Sequence, residues 1–160
     1  MPLFLIGKQM KSLEPAIKTS VVACIIDPRQ RVLLTLRNIE PFYGQWVMPG
    51  GKIDPGEAHL AALHREVREE VGLEVQVDTL LDVYEHLDIG QHKDHYIILY
   101  YRCSPLSLEI QLNHHECSEA AWFSVEELSQ LVLPPGCRQV LTQIYPDLPW
   151  KEDTPPGKNL

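Results

Sequence analysis

One stretch of this chain leaves few choices for its fold: Gly50 to Leu73, GGKIDPGEAHLAALHREVREEVGL. Its first half is turn chemistry. Gly50-Gly51 and Asp54-Pro55-Gly56 combine residues that tolerate positive φ with one whose ring fixes φ. From Ala58 the pattern changes period. Leu60, Leu63, Val67 and Val71 recur as an apolar stripe at helical spacing, and Gly72 stands where a left-handed C-cap belongs. The chain therefore has a tight loop running directly into an amphipathic helix. At about 100° per residue, Glu66, Glu69 and Glu70 share a sector of roughly 100° beside the stripe. Like charges at these spacings cost a few tenths of a kcal/mol per pair. Either the three carboxylates form a solvated acidic face, or they hold a hard cation such as Mg²⁺ or Mn²⁺, which prefers oxygen ligands.

The rest of the chain supplies a frame for this stretch. Lys18 to Ile26 (KTSVVACII) and Arg31 to Arg37 (RVLLTLR) are β-rich and separated by the turn Asp27-Pro28-Arg29-Gln30, the pattern of a hairpin. A loop with aromatic residues (NIEPFYGQ) leads to a short strand over Trp46–Met48. Glu74 to His86 reads as a strand, and DIGQHKD (88–94) as a polar loop. His95 to Cys103 (HYIILYYRC) is the most hydrophobic strand and is expected at the centre of a sheet. Ser107 to Leu112 and Ala120 to Phe123 read as further strands. Ser124 opens a short helix through a capping box with Glu127, and Pro134-Pro135-Gly136 precedes a last helix ending near Tyr145. This order of strands and helices is an α+β pattern with a mixed sheet.

A length of 160 residues suits one domain with a single core. We expect an N-terminal arm or edge strand over 1–16, the domain over 17–146 and a disordered, proline- and charge-rich tail over 147–160. The formal net charge of −8 argues against nucleic-acid duplex and anionic membrane as partners. It does not argue against a nucleotide carried by a divalent cation. Cys24, Cys103, Cys117 and Cys137 form no CxxC pair, so a zinc site is not expected. MPLFLIGKQMKSL lacks signal-peptide architecture and no run approaches a membrane span, so a cytoplasmic protein is expected, either monomer or homodimer.

The spacing Gly51, five residues, Glu57, seven residues, Arg65-Glu66-Val67, one residue, Glu69-Glu70, one residue, Gly72-Leu73 resembles the signature of the Nudix (MutT-like) hydrolases at every fixed position. The similarity extends through Gly44–Gly50 and reappears at Trp122–Ser124 and Glu126–Leu128. It implies an α/β/α sandwich with a mixed β-sheet, carrying the loop–helix motif at its edge. It also implies hydrolysis of a pyrophosphate bond in a nucleoside diphosphate-linked small molecule, with Mg²⁺ or Mn²⁺ neutralising the diphosphate and activating water.

By that resemblance, Glu66, Glu69, Glu70 and the backbone carbonyl of Gly50 are the metal ligands. Glu57 supports the site at the loop–helix junction, and Arg65 pairs with Glu57 or a neighbouring glutamate. The water-activating base is a helical glutamate (Glu66 or Glu70) or a loop glutamate, Glu116 before Glu119. Arg37 faces the phosphates, Gly51 leaves room for the diphosphate, and Phe42 or Tyr43 stacks on a base, whereas Trp46 belongs to the core. Each loop acid and the basic residue also has a plain surface reading, and His114 and His115 read as solvent-exposed.

Several features bear on the substrate. Leu87-Asp88-Ile89 stands where ADP-ribose cleavers carry a proline, although residues 37–44 resemble their approach loop. Leu33–Arg37 matches only part of the coenzyme A element, and Tyr84 comes too early for the diadenosine-polyphosphate branch. Pro49–Ile53, His95–Ile98 and Glu116–Trp122 resemble house-cleaning nucleoside triphosphate hydrolases, which release nucleoside monophosphate and pyrophosphate. An ADP-ribose or nucleotide-sugar pyrophosphatase and a non-catalytic nucleotide sensor are the alternatives.

Overall fold

The computed structural model describes residues 16–88, 90 and 94–150. Seven strands and three helices follow in the order β1 (Lys18–Ile25), β2 (Val32–Arg37), β3 (Trp46–Val47), β4 (Gly50–Lys52), α1 (His59–Val71), β5 (Val75–Leu87), β6 (His95–Pro105), β7 (Cys117–Phe123), α2 (Val125–Leu128) and α3 (Pro135–Ile144). They form a four-stranded sheet, β4-β1-β6-β5, and a three-stranded sheet, β3-β2-β7. The first is mixed: β1 runs parallel to β6 and antiparallel to β4, while β5 and β6 are antiparallel. The expected central position of the HYIILYYRC segment holds, because β6 lies between β1 and β5.

Strand β1 explains the layering. Val21, Ala23 and Ile25 point to one side and pack with Ala62, Leu63, Val67 and Val71 of α1. Cys24 and Ile26 point to the other and pack with Cys137, Val140 and Leu141 of α3. A strand covered on both faces needs apolar residues at consecutive positions, which is why TSVVACII shows no clean alternation. All four cysteines are free and buried. Among the described residues no helix is long and apolar enough to cross a membrane.

Four expectations from sequence are corrected. The two β-rich segments around Asp27–Gln30 do not form an extended hairpin. The turn is present, with Asp27 accepting from the backbone N–H of Arg29 and Arg31 and pairing with the Arg31 guanidinium at 2.6 Å. Only one bridge, Ile26 to Val32, follows it before β1 and β2 part into different sheets. Leu60, placed on the buried stripe, is 39% exposed, and Ala62 takes the buried position instead. Residues 107–112 form no strand. Their backbone is spent on the end of α1: Gln111 N–H donates to Val71 O and Asn113 N–H to Glu70 O, both at 2.9 Å. The start of the expected tail over 147–160 is packed on the domain: Leu148 is buried and the Trp150 indole donates to Thr142 Oγ1 at 2.9 Å. The arm over 1–15, Ile89 and 91–93 of the polar loop, and 151–160 lie outside the described residues.

Candidate active site

The loop between β3 and α1 is pinned before it reaches the helix. Strand β4 pairs with β1 through Val21↔Gly51 and Val22↔Gly50, and Ile53 N–H continues the pairing to Thr19 O at 3.0 Å. A Cβ on Gly50 would fall on the backbone of Val21 and Val22; one on Gly51 would fall on the Glu66 carboxylate. Both glycines therefore serve close approach rather than unusual φ. The turn at Asp54 closes on Glu57, whose N–H donates to Asp54 O at 3.0 Å and whose carboxylate accepts from Asp54 N–H at 3.2 Å. Helix α1 ends as its sequence indicates, on Gly72 at φ 67°.

Arg65 ties loop and helix together. Its Nε donates to Glu57 Oε2 at 2.7 Å, its Nη1 reaches Glu66 at 2.9 Å and Glu69 at 3.3 Å, and its Nη2 reaches Lys52 O at 3.2 Å. The pairing expected between Arg65 and Glu57 is thus present, widened into a network. The Arg65 guanidinium holds the Glu57 carboxyl down at about 2. The same charge works on Glu66, but burial outweighs it and its pKa is raised.

Glu70 stands apart from this cation. Burial, followed by the charge of Glu66, pushes its pKa up to about 8, against a hydrogen bond from the Gly50 backbone N–H. Above it comes the segment that α1 captures through Gln111 and Asn113. That capture brings Asn113, His115, Glu116 and Cys117 over Glu66, Glu69 and Glu70 around a hollow of about 90 Å³. Glu116 lies 3.8 Å from Arg37, whose Nε is held by Pro41 O at 2.8 Å. Glu119 is exposed on β7 and does not line the hollow.

Glu66 and Glu116 also line a larger adjoining cleft of about 320 Å³. Its lining includes Arg37, Gly50, Gly51 and Lys52, together with the aromatic and apolar side chains of Phe42, Tyr84, His86, Tyr96, Ile98 and Tyr100. Phe42, at φ 68°, sets its ring edge-on to His86 with centroids 5.7 Å apart. Tyr43 is 64% exposed and lies outside this lining. Trp46 packs edge-on against Phe123, as a core residue.

Reading the sequence missed the aromatic wall of the cleft. Tyr84 and His86 sit two apart on β5, and Tyr96, Ile98 and Tyr100 two apart on β6, so each set shares a face. That repetition of aromatic residues at period two was the available signal. What joins the two sets with Pro134–Cys137 is the sheet topology and the docking of α3.

Among the described residues no group of three or more His, Cys, Asp or Glu side chains stands ready to hold a metal ion. The donor chemistry nevertheless fits a hard divalent cation. Beside burial, the charges of Glu69 and Glu116 raise the cost of ionising Glu66, and those of Glu66 and Glu116 raise that of Glu70.

The comparisons with known proteins agree with this geometry. The family model described as "NUDIX domain" matches residues 16–147. A curated relative named ADP-ribose pyrophosphatase, from Methanocaldococcus jannaschii, is 32% identical over 74% of this chain and 68% of its own length. Another, named Nucleoside triphosphatase NudI, from Enterobacter sp., is 30% identical over 64% of this chain and 77% of its own. Of a longer relative, from Xenopus laevis, the chain spans 52%. A solved structure titled MutT NUDIX hydrolase, from Burkholderia pseudomallei, superposes with a TM-score of 0.71 at 28% identity, covering 81% of this chain and 98% of that one. The intact Gly51–Leu73 motif, its loop–helix geometry and the family match over most of the chain lead to one conclusion: this chain belongs to the Nudix hydrolase family.

Proposed function

We propose that the protein cleaves a nucleoside triphosphate, in a Mg²⁺-dependent reaction, to the nucleoside monophosphate and pyrophosphate. One observation carries this reading: a cleft of about 320 Å³ whose lining combines Glu66, Glu116, Gly50 and Gly51 with a set of aromatic side chains. That volume is near the lower bound of ligand pockets, roughly 300 Å³.

Glu66, Glu69 and Glu70, with the Gly50 carbonyl, would hold the metal. When bound, Mg²⁺ supplies charge neutralisation for the phosphates and lowers the pKa of water. The protein's own groups do the rest. Gly51 lacks the side chain that would meet the Glu66 carboxylate, so that oxygen pair stays open to the cleft. Arg65 positions Glu57 and Glu66 rather than touching substrate, since its donors are engaged by Glu57, Glu66, Glu69 and Lys52 O. Glu116, shared between hollow and cleft, accepts the proton of the attacking water. Arg37 lies within reach of the phosphates beside it. Phe42 and His86 offer ring faces to the nucleoside.

The second reading, an ADP-ribose pyrophosphatase, is favoured by the name of the archaeal relative. A panel of nucleoside triphosphates and ADP-ribose, with products identified, separates the two. Monophosphate and pyrophosphate from a triphosphate support the first; AMP and ribose 5-phosphate as the preferred products replace it with the second.

A further inference from the structure

The face of the four-stranded sheet that receives α1 is covered only in part. Residues directly opposite in a ladder point to the same side. Leu80 stands opposite Tyr101 and Val83 opposite Leu99, and both β6 partners pack into the core that α1 shares. Glu85, opposite Ile97, and Leu87, opposite His95, belong to the same side by alternation. Helix α1 packs on β1 and β4, and the margin along β5 stays open. Leu80, Val83 and Leu87 are 47%, 51% and 55% exposed there. Ile97 and Leu99 continue the apolar surface onto β6 and are half-buried. A lone exposed leucine needs no explanation, but an apolar row along an edge strand marks a surface that another segment covers.

Charge narrows the choice of cover. Strand β5 carries Asp78, Asp82 and Glu85 and no Lys or Arg. A second copy laid strand against strand here would set acid against acid. The complementary segment is apolar and basic. Residues 1–15, MPLFLIGKQMKSLEP, have that chemistry: Leu3, Phe4, Leu5 and Ile6 in a row, then Lys8 and Lys11 against one acid, Glu14.

Position points the same way. Lys18, the first residue of β1, pairs with Tyr96, and Tyr96 pairs with His86, so the chain enters the sheet at the Leu87 end of the open row. Fully extended, the chain from Ile6 to Ala16 spans up to about 33–36 Å. The row from Leu87 to Leu80 takes roughly 23 Å along the strand, and about 10 Å separates β1 from β5 across β6. The segment therefore reaches the whole row, and its covalent tether raises its local concentration there above that of a free partner.

We propose that residues 1–15 cover this open margin within their own chain, with Leu3, Phe4, Leu5 and Ile6 against Leu80, Val83 and Leu87, and the lysines toward the acidic residues of β5. Tyr84 and His86, which line the cleft, alternate with Val83, Glu85 and Leu87 and so face the other way. The cover is thus independent of which substrate the cleft takes.

Full-length Val83→Cys with a nitroxide on the new thiol tests this by NMR in the ¹⁵N-labelled protein, because the four native cysteines are buried. The amide signals of residues 3–6 should broaden strongly, and with the nitroxide reduced the core amides should keep wild-type shifts. The same label at Val132→Cys, an exposed site whose carbonyl is bonded to Trp46 of β3, should leave residues 3–6 sharp. Equal broadening from both labels, or none from either, overturns the cover. Mixing nitroxide-labelled protein without ¹⁵N and ¹⁵N protein without nitroxide separates the occupants. Broadening of residues 3–6 in that mixture as strong as within one chain would give the face to a second copy and overturn the intrachain assignment. Val83→Asp and Phe4→Asp give a readout that needs no label. Each should lower the urea midpoint, and the double variant should fall little further than the worse single one, since both break one contact. Full additivity of the two would contradict it.

Discussion

Glu70 shows how one residue's surroundings set its chemistry. It sits on the same helix as Glu69, yet burial and the neighbouring Glu66 push its pKa up to about 8. A carboxyl whose folded value lies above its unfolded value of 4.5 binds its proton more tightly in the folded state. Its contribution to stability is therefore fully present below the unfolded value and is lost as pH rises through the folded one. The metal-free protein should melt at a higher temperature at pH 6 than at pH 8, and Glu70→Gln should flatten that difference. Thermal melts in a chelator at both values check this, and a flat wild-type profile would count against the burial of Glu70. The low value of Glu57 adds its own loss only on acidification from 4.5 to about 2, outside that range. Glu116 supplies the second test at this scale. Glu116→Gln should lower kcat by about 10²-fold with little change in Mg²⁺ affinity, the range for a lost general base. A full loss at Glu119 and none at Glu116 would move the assignment. The carboxylate pattern of the helix was legible because i, i+3 and i+4 positions share a face. The placement of Glu116 was not, because it depends on α1 capturing the 111–113 backbone.

Elements are where sequence and structure part most clearly. Periodicity located α1 and its C-cap, the capping box at α2, where Ser124 N–H donates to Glu127 at 2.7 Å, and the central strand β6. It failed where an element's partner lies outside the segment. The β1–β2 pair has turn chemistry but separates into two sheets, and residues 107–112 have strand composition but donate to helix carbonyls. The stripe on α1 was misread at one of its members: Leu60, in the first turn, is 39% exposed, whereas Ala62 packs in the core with Val21, Ala23 and Ile25 of β1. This has a measurable consequence. Leu63→Ala, at a fully buried site, should cost about 2–5 kcal/mol. Leu60→Ala should stay within about 0.5 kcal/mol. Urea unfolding of both variants checks it, and comparable losses would restore the original stripe.

Across the whole molecule, the site is an assembly of distant parts around the loop–helix motif. Strand β1 fixes β4 and hence Gly50 and Gly51, β5 and β6 bring the aromatic wall, and the start of α3 adds Pro135, Gly136 and Cys137 to the lining. A net charge of −8 adds to the cost of gathering carboxylates in one hollow, and a bound divalent cation offsets it. Mg²⁺ should therefore raise the melting temperature of the wild type by mass action and that of Glu70→Gln much less. Equal shifts in the two proteins would place the ion elsewhere.

The most direct measurement follows the products of hydrolysis of one nucleoside triphosphate, with Mg²⁺ and after exhaustive chelation. With Mg²⁺, the nucleoside monophosphate and pyrophosphate should appear in equal amounts, and chelation should stop the reaction. Undiminished hydrolysis in the chelator, or orthophosphate as the only small product, would contradict a metal-dependent cut between the α- and β-phosphates.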